Sequence, residues 1–216
     1  MSSGARIPLA VGQNIGVHLV EILEPFCERI ELAGSVRRRR STVGDLEVLV
    51  IPKWGGGQCS LFGEEEGSWR NLLHDFLVGA CADPARNFRA VQPGRGGKIP
   101  DLKFSTKASG KKWTLWTDET KHHPGLQVEI YVQTSETWGV NMMIRTGPAE
   151  FGIAMLTRWK SITRGYSRDA RLYHGDASIV DTPEEADVFE ACQIPWIKPA
   201  ERNRNTMIGD PERWKT

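Results

Sequence analysis

Apolar residues at Ile15, Leu19, Ile22, Leu23 and Phe26 recur at helical spacing after Pro8. The spacing predicts a helix with Pro8 in its first turn and Pro25 at its end. "RIELAGS" (29–35) then reads as a short strand running into a turn at Gly34, and "DLEVLVIP" (45–52) as a second strand stopped at Pro52. The Gly-rich, acidic stretch 53–68 reads as loop, and "WRNLLHDFLVGA" (69–80) as a helix. Hairpin strands are expected at 88–91, 101–105 and 112–116, and "LQVEIYVQ" (126–133) alternates as a strand should. From Trp138 to Gly165 the pattern is a short helix, a tight turn and a longer helix. "TPEEADVFEAC" (182–192) predicts a helix start, with Thr182 as cap, Pro183 at the first position and Glu185 three residues after the cap.

These elements predict an α+β fold: a mixed or antiparallel sheet with flanking helices over 1–145, then a small helix-rich part over 146–216. No internal repeat is visible. The formal net charge is +1, so any basic surface must be local. Four cysteines stand far apart without a C-x-x-C pair, which points to reduced thiols in a cytosolic protein. No apolar run reaches the length of a membrane span, and the first residues lack a secretory pattern. The expectation is an intracellular protein with no membrane partner, and a monomer. The eight tryptophans are scattered and read as packing.

Residues two apart on a strand share a face, so Asp45 and Glu47 project together while Leu46, Val48 and Val50 project oppositely. Beyond Glu47 the acidic face continues as Leu49 and Ile51, unlike an ordinary solvated face. In the later strand Glu129 points away from Leu126, Val128, Ile130 and Val132. If the two strands are neighbours, three carboxylates meet, an arrangement that divalent cations such as Mg²⁺ would neutralise. An isolated D-x-E reads as a solvated rim, and the segment upstream changes that reading. Gly34-Ser35 offers backbone N–H groups and a hydroxyl for phosphate oxygens, and the run Arg37–Arg40 follows it. Phosphate binders next to metal ligands are the parts of phosphoryl transfer.

Gly34-Ser35, Arg38 and Gly44-Asp45-x-Glu47 resemble the G-S-x-R-R…G-D-x-D signature of the family X DNA polymerases. "RIP" (6–8), "WGVNMMIRTGPAEF" (138–151) and "TPEEADVFEACQIPWIKPAER" (182–202) resemble the family's segments before the palm, between palm and thumb, and at the close of the thumb. The match covers nearly the whole chain, most loosely between Lys53 and Pro124, and has no lyase or fingers region: a palm and thumb alone. The resemblance implies a nucleotidyltransferase palm over 1–145, a thumb over 146–216, and a DNA polymerase activity that adds dNMP to a primer 3′-hydroxyl, as in filling short gaps during repair. It implies dNTP and primer-template or gapped DNA as partners and two Mg²⁺ (or Mn²⁺) ions as cofactors. Asp45 and Glu47 would bind both metals; Glu129 would bind the catalytic one and orient the 3′-hydroxyl. Arg6, Gly34, Ser35, Arg38 and the backbone at Gly44 would hold phosphates, and Thr146-Gly147 would turn against the sugar. Arg145, Arg158, Lys160 and Arg164 would meet DNA. The family's cis bond after T-G would fall at Gly147-Pro148, with a helix starting just after it.

Departures from the pattern accompany the match. Glu47 and Glu129 stand where the family has Asp, Ile144-Arg145 where it has an aromatic pair, and Gly152 where it often has Asn. His122-His123 has no third zinc ligand at suitable spacing, and 94–100 lacks the Lys-Ser/Thr of a phosphate loop, so both read as turns. Two rivals stand beside the polymerase reading: a template-independent or small-acceptor nucleotidyltransferase, and a catalytically weak DNA-binding module.

Overall fold

A computed structural model describes residues 6–55, 70–82, 102–103, 112–117 and 126–202. The strand expected at 88–91, the pair His122-His123 and the stretch 94–100 lie outside the described residues. Along the chain the elements are β1 (Ile7–Pro8), α1 (Leu9–Leu23), β2 (Cys27–Leu32), α2 (Gly34–Arg37), β3 (Thr42–Val43) and β4 (Asp45–Pro52). Next come β5 (Trp54–Gly55), β6 (Arg70–Asn71), α3 (Leu72–Ala82), β7 (Leu102–Lys103), β8 (Lys112–Thr117) and β9 (Gln127–Val132). The remainder is α4 (Ser135–Thr146), α5 (Ala149–Thr163), β10 (Tyr166–Arg168), β11 (Arg171–Tyr173), β12 (Ile179–Val180) and α6 (Glu185–Ala191). The fold is α+β, as the periodicities predict.

Contacts divide the chain into two compact units, Met1–Leu32 with Gly44–Val132, and Ala33–Val43 with Gln133–Thr216. The boundary expected between 145 and 146 therefore falls inside α4's last turn, whereas the contacts divide the chain just before that helix.

The first unit is built on a five-stranded mixed sheet in the order β2-β4-β9-β8-β7. The β4–β9 pair is parallel and the others antiparallel. β4 is an inner strand, and Leu46, Val48, Leu49 and Val50 are all fully buried, which explains a run that is apolar on both faces. Leu32, Val48, Ile130 and Trp113 are successive register partners and so share one face. α1 lies on that face, since a Cβ on Gly16 would come within 2.9 Å of Leu32. α3 lies there too, with the His74 ring 5.4 Å from that of Trp113. Burial of Leu19, Leu23, Leu73 and Leu77 beneath these helices contributes about 1.5–3 kcal/mol per side chain. α1 ends at Leu23 and Pro25 sits in a single 3₁₀ turn, as expected, but Pro8 is the N-cap rather than a first-turn residue. Part of the expected loop after Pro52 is extended: β5 pairs with β6.

The second unit packs α4, α5, α6 and β11 around Val140, Met143, Phe151, Met155, Trp159, Leu172, Val188 and Phe189. It is not purely helical, because β10, β11 and β12 form a three-stranded antiparallel sheet. α4 carries a capping box between Thr134 and Thr137, and the Gly147-Pro148 bond that follows it is cis, with α5 beginning at Ala149. The expected start of α6 needs correction. Its N-cap is Glu184, boxed with Asp187, and Thr182 instead offers its carbonyl to the Gly139 N–H. Glu185, read from sequence as the capping acid, is drawn into the core by two arginines.

Candidate functional site

In the first unit, strand register builds an acidic sheet face. Asp45 lies opposite Gln127, and Glu47 opposite Glu129, across the parallel β4–β9 ladder. In-register neighbours share a face about 4.8 Å apart, and residues two apart on a strand lie about 7 Å apart. Asp45, Glu47 and Glu129 thus rise from one patch of sheet, and all are half-buried. The two strands are adjacent, the condition on which the acids were expected to meet.

Glu129 is only 13% exposed and is held by its sheet neighbours. Its Oε1 accepts from Lys112 Nζ on β8 and, at 2.9 Å, from Gln127 Nε2. Its Oε2 accepts from the Tyr131 hydroxyl. Arg6 reaches the start of β4: its Nη1 lies 3.7 Å from where a Cβ on Gly44 would stand. The donor chemistry of this face suits Mg²⁺ or Mn²⁺, since hard oxygens from two adjacent strands are what such ions take. Glu129 is turned toward Lys112 and Tyr131, and no three acidic, His or Cys side chains among the described residues are gathered closely enough to hold an ion. Asp45 and Glu47, joined by Glu129 turned back toward them, are the ligands this face can supply.

The second unit holds the turn that follows β2. Gly34 takes φ 63°, a left-handed angle that glycine adopts without steric cost, and opens the single helical turn α2. Ser35 is 8% exposed, and its Oγ has no hydrogen-bond partner. Arg38 donates through Nη1 to the Thr146 carbonyl, and a Cβ on Gly147 would lie 3.0 Å from that same nitrogen. Residues 111 apart in sequence, such as Ser35 and Thr146, are thereby carried by elements that pack on each other, α2 against α4. Arg38, Thr146 and Gly147 are directly together, and Thr146 is fully buried.

Sequence reasoning missed what holds this surface. Arg37 Nη1 donates to Thr146 Oγ1 and to Glu185 Oε2, each at 2.6 Å. The other Glu185 oxygen accepts from Arg202, which is 0% exposed. The Arg202 guanidinium also lies 5.2, 4.8 and 4.9 Å from the ring centroids of Phe151, Phe189 and Trp196. Burial lowers the Arg202 pKa, against which Glu185 works by hydrogen bond and charge. The paired "EE" and the terminal "ER" gave no sign of this pairing.

The expected DNA-facing cations divide. Arg145 is half-buried in the last turn of α4, Lys160 is exposed on α5, and Arg164 is exposed at that helix's left-handed C-cap. Arg158 is occupied within the fold: Nε and Nη2 donate to the Cys192 and Gln193 carbonyls at 2.7 and 3.2 Å, closing the end of α6.

A scan against protein-family models and a search of curated proteins each returned no match for this chain.

Proposed function

We propose that this chain is a metal-dependent nucleotidyltransferase of the family X DNA polymerase type, adding dNMP to a primer 3′-hydroxyl. The observation that carries the reading is the register of β4 and β9, which sets Glu47 beside Glu129 on the face that also bears Asp45. Those are the positions at which the resemblance puts the metal-binding acids. In this reading Asp45, Glu47 and Glu129 hold two Mg²⁺ or Mn²⁺ ions. When bound, such ions stabilise charge on the attacking and leaving oxygens.

The chain's own residues do the positioning. Ser35 Oγ, buried and without a partner, donates to a phosphate oxygen, and the Arg38 guanidinium turns from the Thr146 carbonyl to the same group. The Thr146-Gly147 turn, fixed from behind by Arg37 and Glu185, supports the sugar. Glu129 orients the 3′-hydroxyl whose oxygen bonds to the α-phosphorus as pyrophosphate leaves. Orientation of this kind accounts for much of the acceleration in phosphoryl transfer.

A second reading, transfer to a small or untemplated acceptor, draws support from Arg158. That side chain closes α6 rather than standing ready for a DNA phosphate. One experiment separates the readings: purified protein with Mg²⁺ or Mn²⁺, each labelled dNTP in turn, and gapped, blunt or single-stranded DNA. Templated incorporation on gapped DNA supports the polymerase. Untemplated addition supports the second reading, and no incorporation with either metal refutes both.

A further inference from the structure

We propose that Lys112 is the built-in counter-ion of Glu129, displaced when a divalent cation binds, so that Lys112 sets the metal affinity of the acidic face. This rests on the reading of Glu129 as a metal ligand. Lys112 is the register partner of Tyr131, one step along the same face from the Thr114–Glu129 pair. From there its stem lies by the Tyr131 ring, with Nζ 5.6 Å from the ring centroid, and its ammonium reaches Glu129 Oε1.

Electrostatics explains why a cation is needed there. Glu47 and Glu129 are in-register neighbours, and two carboxylates at that spacing repel in a half-buried setting. An ammonium on Glu129 offsets the repulsion in the metal-free protein. A carboxylate has about four lone-pair positions, and Lys112, Gln127 and Tyr131 together use three of those on Glu129. A metal shared with Glu47 would therefore compete with the Lys112 ammonium for the same carboxylate.

The residue type suits a removable counter-ion. A lysine ammonium sits on a flexible four-carbon stem and is readily hydrated, whereas a guanidinium forms a stiffer, planar fork. Lys112 is 36% exposed against 13% for Glu129, so the ammonium has water to withdraw into while the carboxylate stays on the sheet. Gln127 and Tyr131 are neutral, and their bonds restrain the carboxylate without opposing a divalent charge.

The test is Mn²⁺ titration, with free Mn²⁺ read by electron paramagnetic resonance, on wild type, Lys112→Met, Lys112→Gln, Lys112→Arg and Glu129→Gln. Removing a positive charge a few ångströms from a divalent ion should tighten Mn²⁺ binding about tenfold in Lys112→Met. Lys112→Gln should do the same, so either neutral variant that folds by circular dichroism suffices. Lys112→Arg should stay near wild type, and Glu129→Gln should weaken binding. Neutral variants that bind Mn²⁺ as wild type does, or more weakly, overturn the proposal while leaving the metal reading standing. An equal gain in Lys112→Arg also overturns it, because charge would not be the cause. Wild type that binds no Mn²⁺ removes the metal reading and this inference together.

Discussion

Glu185→Ala should be among the most destabilising single changes in the second unit. The carboxylate is 4% exposed and serves two arginines, one of which, Arg202, is completely buried. Removing it leaves an uncompensated guanidinium inside an aromatic box, with Arg202 Nη2 already lacking a partner. Breaking a buried pair from one side costs about 3–5 kcal/mol, mostly the desolvation of the charge left behind. For a domain of this size that is a fall in Tm on the order of 10 °C or more. Trp138, Trp159 and Trp196 lie in this unit and Trp54, Trp113 and Trp116 in the other, so urea unfolding is followed by tryptophan fluorescence together with far-UV circular dichroism.

The double variant Glu185→Gln with Arg202→Met removes the buried charges but keeps an acceptor for Arg37 and a long side chain against Phe151 and Phe189. It should recover most of the loss, to within about 1.5 kcal/mol of wild type. A Glu185→Ala protein that loses less than about 1 kcal/mol, the range of an exposed ion pair, would refute the claim that the pair is desolvated. A double variant no better than the single one would refute the claim that the stranded charge is what costs stability.

Asp45→Ala should reduce nucleotide transfer on the order of 10³-fold or more while leaving the urea midpoint within error, since several kcal/mol of barrier depend on the lost ligand; near-normal incorporation would sink the metal assignment. Gly139→Ala should cost at least about 1–3 kcal/mol in urea unfolding. Its Cβ would stand 2.3 and 2.4 Å from the Glu184 and Thr182 carbonyl oxygens, which are backbone and cannot step aside. DNA binding that rests on Lys160, Arg164 and Arg145 should weaken at least about tenfold between 50 and 200 mM salt in a filter-binding assay; a flat response would favour a small acceptor. Burial pushes the Cys27 thiol up to about 12 and the Cys192 thiol up to about 11, so both stay protonated near pH 8. Mass spectrometry after brief treatment with a thiol reagent should find both unlabelled in native protein and labelled in urea.

What the sequence makes legible is what repeats along one strand or helix. The two-residue period of 45–52 and 126–133 places Asp45 with Glu47 and sets Glu129 apart from Val128 and Ile130, and parallel pairing of those strands brings the acids onto one face. The helix–turn–helix from Ser135 to Thr163 is equally readable, because Gly147-Pro148 interrupts two clear apolar stripes. The strands β10, β11 and β12 are two or three residues long, too short for any alternation to declare itself. Lys112 reads as an ordinary hairpin residue, since its role depends on a neighbour strand's register. In "TPEEAD" no local spacing reveals which acid caps the helix and which turns inward, because the choice is made by Arg37 and Arg202, far away in sequence.

The run Arg37–Arg40 shows the same limit most clearly. As sequence it reads as a solvated rim or as contacts to nucleic acid, with Arg38 alone singled out for a ligand. In the fold its members have separate tasks: Arg37 joins Thr146 to Glu185, Arg38 rests on the Thr146 carbonyl, and Arg40 donates to the Arg202 carbonyl at 2.6 Å. Arg39 is exposed and takes φ 54°, turning the chain as α2 ends. Replacing it with glycine would relieve backbone strain, while the same change at Arg37 would strip support from Thr146. Arg38 and Arg40 each donate to a neutral carbonyl, and the one that Arg38 meets ends α4, with glycine beside it at 147. A phosphate carries a full negative charge and roughly twice the hydrogen-bond strength of such an acceptor. The bond from Arg38 to the Thr146 carbonyl is therefore the weaker one to give up for a phosphate, whereas Arg37 would have to abandon a carboxylate that is itself buried.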